Sequence, residues 1–208
     1  MSALLAALEE GEGVVTGQVF TDEDLSALGV ADLGHVEFEE TSFERCTFTQ
    51  IAMHRASFSG CRLHDCDLTG ASLRNSYWRA CRLEDCRAVG ADFWQSYVGG
   101  SLVAGGNLSY ANFAESKFEK LTMRGVDLSE AALSQLKLRG GRDAWVLDNC
   151  DLTRAELFLT RLRGVSLAGN QIASIRVSDT FSELVGAKIE PDQAIDLVGL
   201  LGVKLVEG

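Results

Sequence analysis

The stretch CDLTG ASLRN SYWRA CRLED CRAVG ADFWQ, residues 66–95, decides how this chain is read. Split into fives, it puts an apolar residue at the third position of every unit: Leu68, Leu73, Trp78, Leu83, Ala88 and Phe93. The first position is always small: Cys66, Ala71, Ser76, Cys81, Cys86 and Ala91. Outward from this stretch, the apolar register steps by five from Leu28 to Leu138. It spans 23 consecutive positions without a polar exception and holds seven of the ten phenylalanines. In the small register, 18 of 23 residues are Ala, Ser, Cys, Thr or Gly.

Inward residues spaced two and then three apart cannot share one face of a helix, whose period is 3.6. A spacing of two is one step of extended chain with both side chains on the same face. The extra residue is a corner. Short straight sides therefore alternate with turns, and each coil must stack on others to satisfy its backbone. Proline would remove a donor from such ladders. The chain has one, Pro191, against 21 glycines, where average usage predicts roughly ten.

The pattern resembles the pentapeptide repeat family, whose consensus is small–Asp/Asn–Leu/Phe–Ser/Thr/Arg–Gly/Ala. CDLTG (66–70), ASLRN (71–75), ADFWQ (91–95), ANFAE (111–115) and VDLSE (126–130) carry the likeness. It spans 20–190 and implies an all-β chain, a right-handed quadrilateral β-helix with four units, or 20 residues, per coil. The frame breaks over 139–146, where Leu138 is followed by Leu147, a step of nine. It resumes at Leu152, Leu157, Leu162, Leu167, Ile172 and Val177, then more loosely at Leu184 and Ile189, which gives about eight coils. Residues 1–19 are expected to form an N-terminal cap segment and 191–208 a short C-terminal α-helix and tail. Proline in the first turn and the acids around it suit a helix start. Val203, Lys204 and Leu205 alternate like a short strand.

The chain carries 19 basic and 30 acidic residues, a formal charge of −11, which argues against nucleic-acid or anionic-membrane binding. Residues 1–50 alone hold 11 acids and one base, Arg45. No stretch approaches the ~20 apolar residues of a membrane helix, and the apolar run 3–8 is too short for a signal peptide. A cytoplasmic protein with reduced cysteines is expected. Cys61, His64 and Cys66 have the look of a metal site. Yet all six cysteines (Cys46, Cys61, Cys66, Cys81, Cys86 and Cys150) fall on the small inward position, and His64 points outward. Buried free thiols are expected, with no metal and no cofactor. No nucleophile–base spacing stands out, and a self-filled core leaves no substrate pocket, so no enzyme is expected.

Tyr77 and Tyr97 stand 20 residues apart and should stack, with Trp94 on the neighbouring side. They form either a ladder that steadies the sheet or a docking patch. The frame break, with Arg142, Asp143 and Trp145, is either a bulge whose tryptophan packs back on the rod or a contact loop. Ala194, Ile195, Val198 and Leu201 make one helical stripe that Leu197 and Leu200 widen; it caps the last coil, or caps it and dimerises.

The family resemblance implies a tail-to-tail homodimer through that helix. It also implies binding to bacterial type II topoisomerases, DNA gyrase or topoisomerase IV. Such members mimic duplex DNA and protect against quinolones or peptide-like poisons. Glu37, Glu39 and Glu40 in the acidic coils would then face the partner. The same face later carries Arg79, Lys117, Lys120, Lys137 and Arg139, so no negative stripe runs the length of the rod. The alternative is a protein-interaction scaffold with an unrelated partner.

Overall fold

The computed structural model describes residues 2–27 and 32–203, apart from the side chain of Arg142. Three-residue strands alternate exposed, buried, exposed about the central residue of a unit, as at Glu37–Glu39, Arg62–His64 and Tyr77–Arg79. One parallel sheet stacks Val14–Thr16, Glu37–Glu39, Ser57–Ser59, Tyr77–Arg79, Tyr97–Gly99, Lys117–Glu119 and Lys137–Arg139. The second stacks Val19–Thr21, Ser42–Glu44, Arg62–His64, Arg82–Glu84, Leu102–Ala104, Leu121–Arg124 and Trp145–Asp148. Two columns of single bridges form the remaining sides. One steps from Thr47 through Asp67 and onward to Gln171, the other from Ala52 through Ser72 to Arg176. The result is a four-sided β-solenoid.

Each corner has a recurring conformation. From Gln50 to Gln135 every fifth residue is left-handed, with φ between 52° and 67°, whether or not it is glycine. Proline, fixed near −65°, cannot stand there, and elsewhere its missing N–H would break a ladder. The small position uses its polar atoms as well as its size. Thr41 Oγ1 donates to the Glu39 carbonyl (2.9 Å), Ser116 Oγ to Phe93 (2.7 Å), and Cys66 Sγ to Phe43 and His64 (3.4 Å each). On the bridge sides the Asp of a unit folds back on the chain two residues on, as Asp67 Oδ1 accepts from Thr69 N (2.8 Å) and Asp127 Oδ1 from Ser129 N (2.9 Å).

Two insertions shift the frame. Val14 faces Glu37, 23 residues on, while Glu37 faces Ser57, 20 on. The strands therefore start at Val14, ahead of residue 20, and the buried Val15, Phe20 and Leu25 sit three residues out of step with the register that follows. Leu28, the first residue of the period-five register, lies outside the described residues, as do Lys204 and Leu205. At the second insertion Leu121 faces Trp145, 24 on, and Met123 faces Leu147, the residue expected there. The four added residues include the 3-10 turn Gly141–Asp143.

Past this point the ladders part company. The bridge columns continue, Asp127 to Asp151 to Gln171 and Ala132 to Glu156 to Arg176. Both strand columns end, at Lys137–Arg139 and at Trp145–Asp148. The chain over 162–167 keeps the forward bonds of an ordinary coil: Leu162 N donates to Glu183 O (2.9 Å), Gly164 N to Gly186 O (2.8 Å) and Leu167 N to Lys188 O (2.8 Å), but among the described residues no backbone bond joins it back to 137–148. Among the described residues this one step of the stack is laddered on two sides and interrupted on the other two.

Both ends are covered. Helix α1 (Ala3–Glu10) buries Leu4, Ala7 and Leu8 over the first coil. Its start is capped by Ser2, and the Glu23 carboxylate accepts from Ala3 N (2.9 Å), an anion suited to a helix N-terminus. Helix α2 (Gln193–Leu200) lays Leu197 and Leu200 on the core. Gln193 is buried and donates to the carbonyls of Leu167 (2.8 Å) and Asn170 (2.6 Å).

Glu183 is buried beside this end and accepts from Leu159 N (2.8 Å) and from Ser178 Oγ (2.8 Å). Burial works to raise its pKa, but the hydrogen bonds from Leu159 and Ser178 outweigh it and hold the carboxyl below the usual glutamate range. A depressed carboxyl contributes stability at pH values above its unfolded value of about 4.3, and that contribution is lost as pH falls through the folded value. Glu183→Ala strands two or more donors and should cost about 2–4 kcal/mol. Denaturant melts at pH 7 and pH 3 should differ less in the variant than in the parent.

Candidate interaction surfaces

The first sheet brings most of the expected residues to one side. Glu37, Ser57, Tyr77, Tyr97, Lys117 and Lys137 form one outward column. Glu39, Ser59, Arg79, Gly99, Glu119 and Arg139 form the next. Glu37 and Glu39 are exposed either side of the buried Phe38, and Glu40 is exposed in the following corner. Among the described residues none of the three has an ion-pair partner, so their charge is turned to solvent. The side runs from acidic at the N-terminal coils to basic at Lys137 and Arg139.

The aromatics between these ends are already engaged. Tyr77 and Tyr97 stack at 4.7 Å with 12° between their planes. Lys117 Nζ sits 4.9 Å from the Tyr97 ring centroid, and Tyr97 OH donates to Glu119 (3.4 Å). Gly99 makes room for that ring, since a Cβ there would collide with Tyr97. Burial foremost, then the charge of Glu119, raises the Tyr97 hydroxyl pKa. On the adjacent side Trp94 lies under the Arg74 guanidinium at 4.6 Å and donates to Glu115 (3.4 Å). Tyr77, 40 % exposed, is the ring with the most free surface of the three.

Trp145 is not offered to a partner. It is 1 % exposed, packs edge-on against Phe118 at 5.6 Å, and belongs to the strand that resumes the second sheet. A large ring entering the inward register is where the hydrophobic effect favours it. Its Nε1 is buried without a hydrogen-bond partner among the described residues. Asp143 is exposed in the inserted turn, and Arg142 lies in the same turn. At the C-terminal end Leu197, Val198 and Leu200 are half-buried, whereas Ile195 and Leu201 are each 60 % exposed. The cysteines are unpaired and buried, and burial pushes the Cys150 thiol up. Among the described residues no His, Cys, Asp and Glu group of three or more is placed to hold a metal, and no helix is long and apolar enough to cross a membrane.

A repeat of five, a left-handed corner in each unit and four parallel ladders meet in one description. The chain belongs to the pentapeptide repeat family. Eight copies of "Pentapeptide repeats" match it, over residues 37–75, 66–100 and 107–142. No curated protein matches it significantly. Among solved structures it is similar to QnrB1, described as a plasmid-mediated fluoroquinolone resistance protein, at 16% identity and a TM-score of 0.34, covering 92% of this chain and 99% of that one. It is also similar to HetL of the cyanobacterium Nostoc sp. strain PCC 7120, described as involved in heterocyst differentiation regulation. There the identity is 18% and the TM-score 0.31, over 90% of this chain and 94% of the other. At this identity and superposition neither likeness says what this protein binds.

One cluster escaped the sequence reading. Arg161, Arg163 and Lys188 line a single cleft on the open side of the stack, with Gly141, Gly164 and Gly186. The available signal was Arg161-Leu162-Arg163, two cations flanking a central leucine just past the frame break.

Proposed function

We propose that this pentapeptide repeat protein is a non-enzymatic binding protein of the cytoplasm. Its partner is a bacterial type II topoisomerase, DNA gyrase foremost, or topoisomerase IV. It occupies the site where the enzyme holds duplex DNA and so protects against antibiotics that poison the cleaved complex. The observation that carries this reading is the unpaired acidic end: Glu37, Glu39 and Glu40 project from one side of a rigid laddered coil. An acidic surface of fixed geometry competes for a basic groove through the charge attraction that draws DNA there.

The test is a supercoiling assay on gyrase with and without a quinolone. Stoichiometric excess of the protein should slow supercoiling or restore it in the presence of drug. A protein that does neither, at any ratio up to large excess, removes this reading. The alternative is an interaction scaffold for an unrelated partner, favoured by the change from acid to base along the first sheet. Loss of gyrase inhibition and rescue together would leave that one standing.

Pairing of two rods through the C-terminal end fits the exposed apolar surface there. Ile195, Leu201 and Val185, the last 69 % exposed, are the candidates for the interface. Leu200 already packs on the core, so charging it would disturb the cap as well as the interface. Ile195→Asp combined with Leu201→Asp should halve the mass measured by light scattering while leaving the circular dichroism unchanged. An undiminished mass would rule this interface out.

A further inference from the structure

We propose that the opening in the stack is a binding site for a phosphate-bearing small molecule. The two strand columns end at Lys137–Arg139 and Trp145–Asp148, and among the described residues the chain over 161–167 makes its usual forward bonds to 183–188 but no backbone bond back to 137–148. Between the two lies a cleft of about 580 Å³ lined by Arg161, Arg163 and Lys188 together with Gly141, Gly164 and Gly186. No carboxylate lines it. In the same part of the rod Arg154 and Arg176 both reach Glu130 (3.1 and 3.2 Å), and Arg176 also reaches Glu156 (2.7 Å). Among the described residues Arg161, Arg163 and Lys188 have no acid within 4.0 Å. Three unmatched cations converge in a chain whose net charge is −11.

The backbone around the cleft is shaped for close approach. Gly141 (φ +73°) and Gly164 (φ +86°) have open space where a Cβ would stand. Gly186 (φ +80°) brings Arg163 against the chain, its Cγ 3.0 Å from where a Cβ would lie. In an unbroken corner the peptide N–H donates to the next coil, as Gly100 N does to Glu119 O (2.8 Å). Among the described residues no such bond joins 137–148 to 161–167, although Gly164 N, in the cleft wall, donates to Gly186 O (2.8 Å). The adjoining cleft, of about 270 Å³, shares Gly164 and Lys188 and includes Trp145, whose indole N–H is a buried donor without an acceptor. Asp143 is the one acid lining either cleft; it lines the smaller one, together with Lys188.

Two guanidinium forks and an ammonium suit phosphate oxygens, which accept bidentate and point-charge donors alike. The larger cleft has room for more than one phosphate group. Isothermal titration of the full chain at low salt, against inorganic phosphate, pyrophosphate and adenosine triphosphate in turn, tests this directly. One saturable site per chain is expected, with pyrophosphate bound about tenfold or more tighter than phosphate. Arg163→Gln and Lys188→Gln should each weaken pyrophosphate by about tenfold, while Arg154→Gln leaves it unchanged. Tighter binding of the nucleotide than of pyrophosphate would assign a nucleotide, and equal binding the phosphate groups alone. No saturable heat with any of the three, or binding that both cleft variants leave unmoved, overturns the proposal. Unchanged circular dichroism of the variants separates loss of the site from loss of the fold.

Discussion

Replacing Trp78 with alanine is expected to destabilise the rod by about 3–5 kcal/mol, the range for removing a fully buried large aromatic. The ring stacks on Phe58 at 3.9 Å with 9° between planes and leans on Phe93 at 6.0 Å. Its Nε1 donates to Ser76 Oγ (2.8 Å), which in turn sits 3.0 Å from Ser96 Oγ. Alanine would therefore leave a cavity between coils and loosen a buried hydroxyl pair. In a solenoid each coil leans only on its neighbours, so damage mid-rod uncouples the two halves. Guanidinium denaturation followed by circular dichroism should show a lower midpoint with a broadened or split transition. An unfolding free energy within about 1 kcal/mol of the parent would mean that the column of inward aromatics is not what holds adjacent coils together.

The second large effect is expected at Gly106. Its φ is +84°, and a Cβ there would fall inside the van der Waals envelope of the Cys86 carbonyl oxygen on the preceding coil. Gly106→Val combines left-handed strain in a β-branched residue with a backbone clash that no rotamer relieves. A loss of about 3 kcal/mol or more is expected. The neighbouring Gly125 (φ +60°) has open space at its Cβ and stands at an ordinary corner. Gly125→Asn should be almost neutral, because many corners already hold non-glycine residues at the same φ. Equal melting temperatures for Gly106→Val and Gly125→Asn would contradict this distinction.

The register from Leu33 to Leu138 was legible because each unit repeats the same demand: one large and one small residue inward. The first coil was not, for a definite reason. Leu25 and Leu28 are both apolar, so a period-five pattern passes smoothly into the wrong frame, although Val15, Phe20 and Leu25 fill the core three residues out of step. Helix α1 was overlooked despite Ser2 as an N-cap and Leu4, Ala7 and Leu8 at helical spacing, because its eight residues are too few to stand out beside the repeat.

The candidate surfaces divide in the same way. Columns such as Glu37 above Ser57 and Tyr77 follow from arithmetic in twenties. How each side chain is used does not. Tyr97 lies over Gly99 and under Lys117, Trp94 is covered by Arg74, and Trp145 turns inward to Phe118. These outcomes depend on which neighbour lies across the corner. The opening beyond Lys137–Arg139 was hidden for a further reason: it arises from where peptide groups donate, and after the frame break the side-chain register resumes at Leu147 and runs on through Leu162 and Leu167.

The central claim is that this protein occupies a topoisomerase's DNA site. Displacement of a fluorescently labelled duplex from DNA gyrase, followed by anisotropy, tests it most directly. The account predicts that adding the protein releases the duplex with a saturable, salt-sensitive competition curve, weakened when Glu37, Glu39 and Glu40 are all changed to glutamine. A duplex that stays fully bound at large excess of the protein would contradict it.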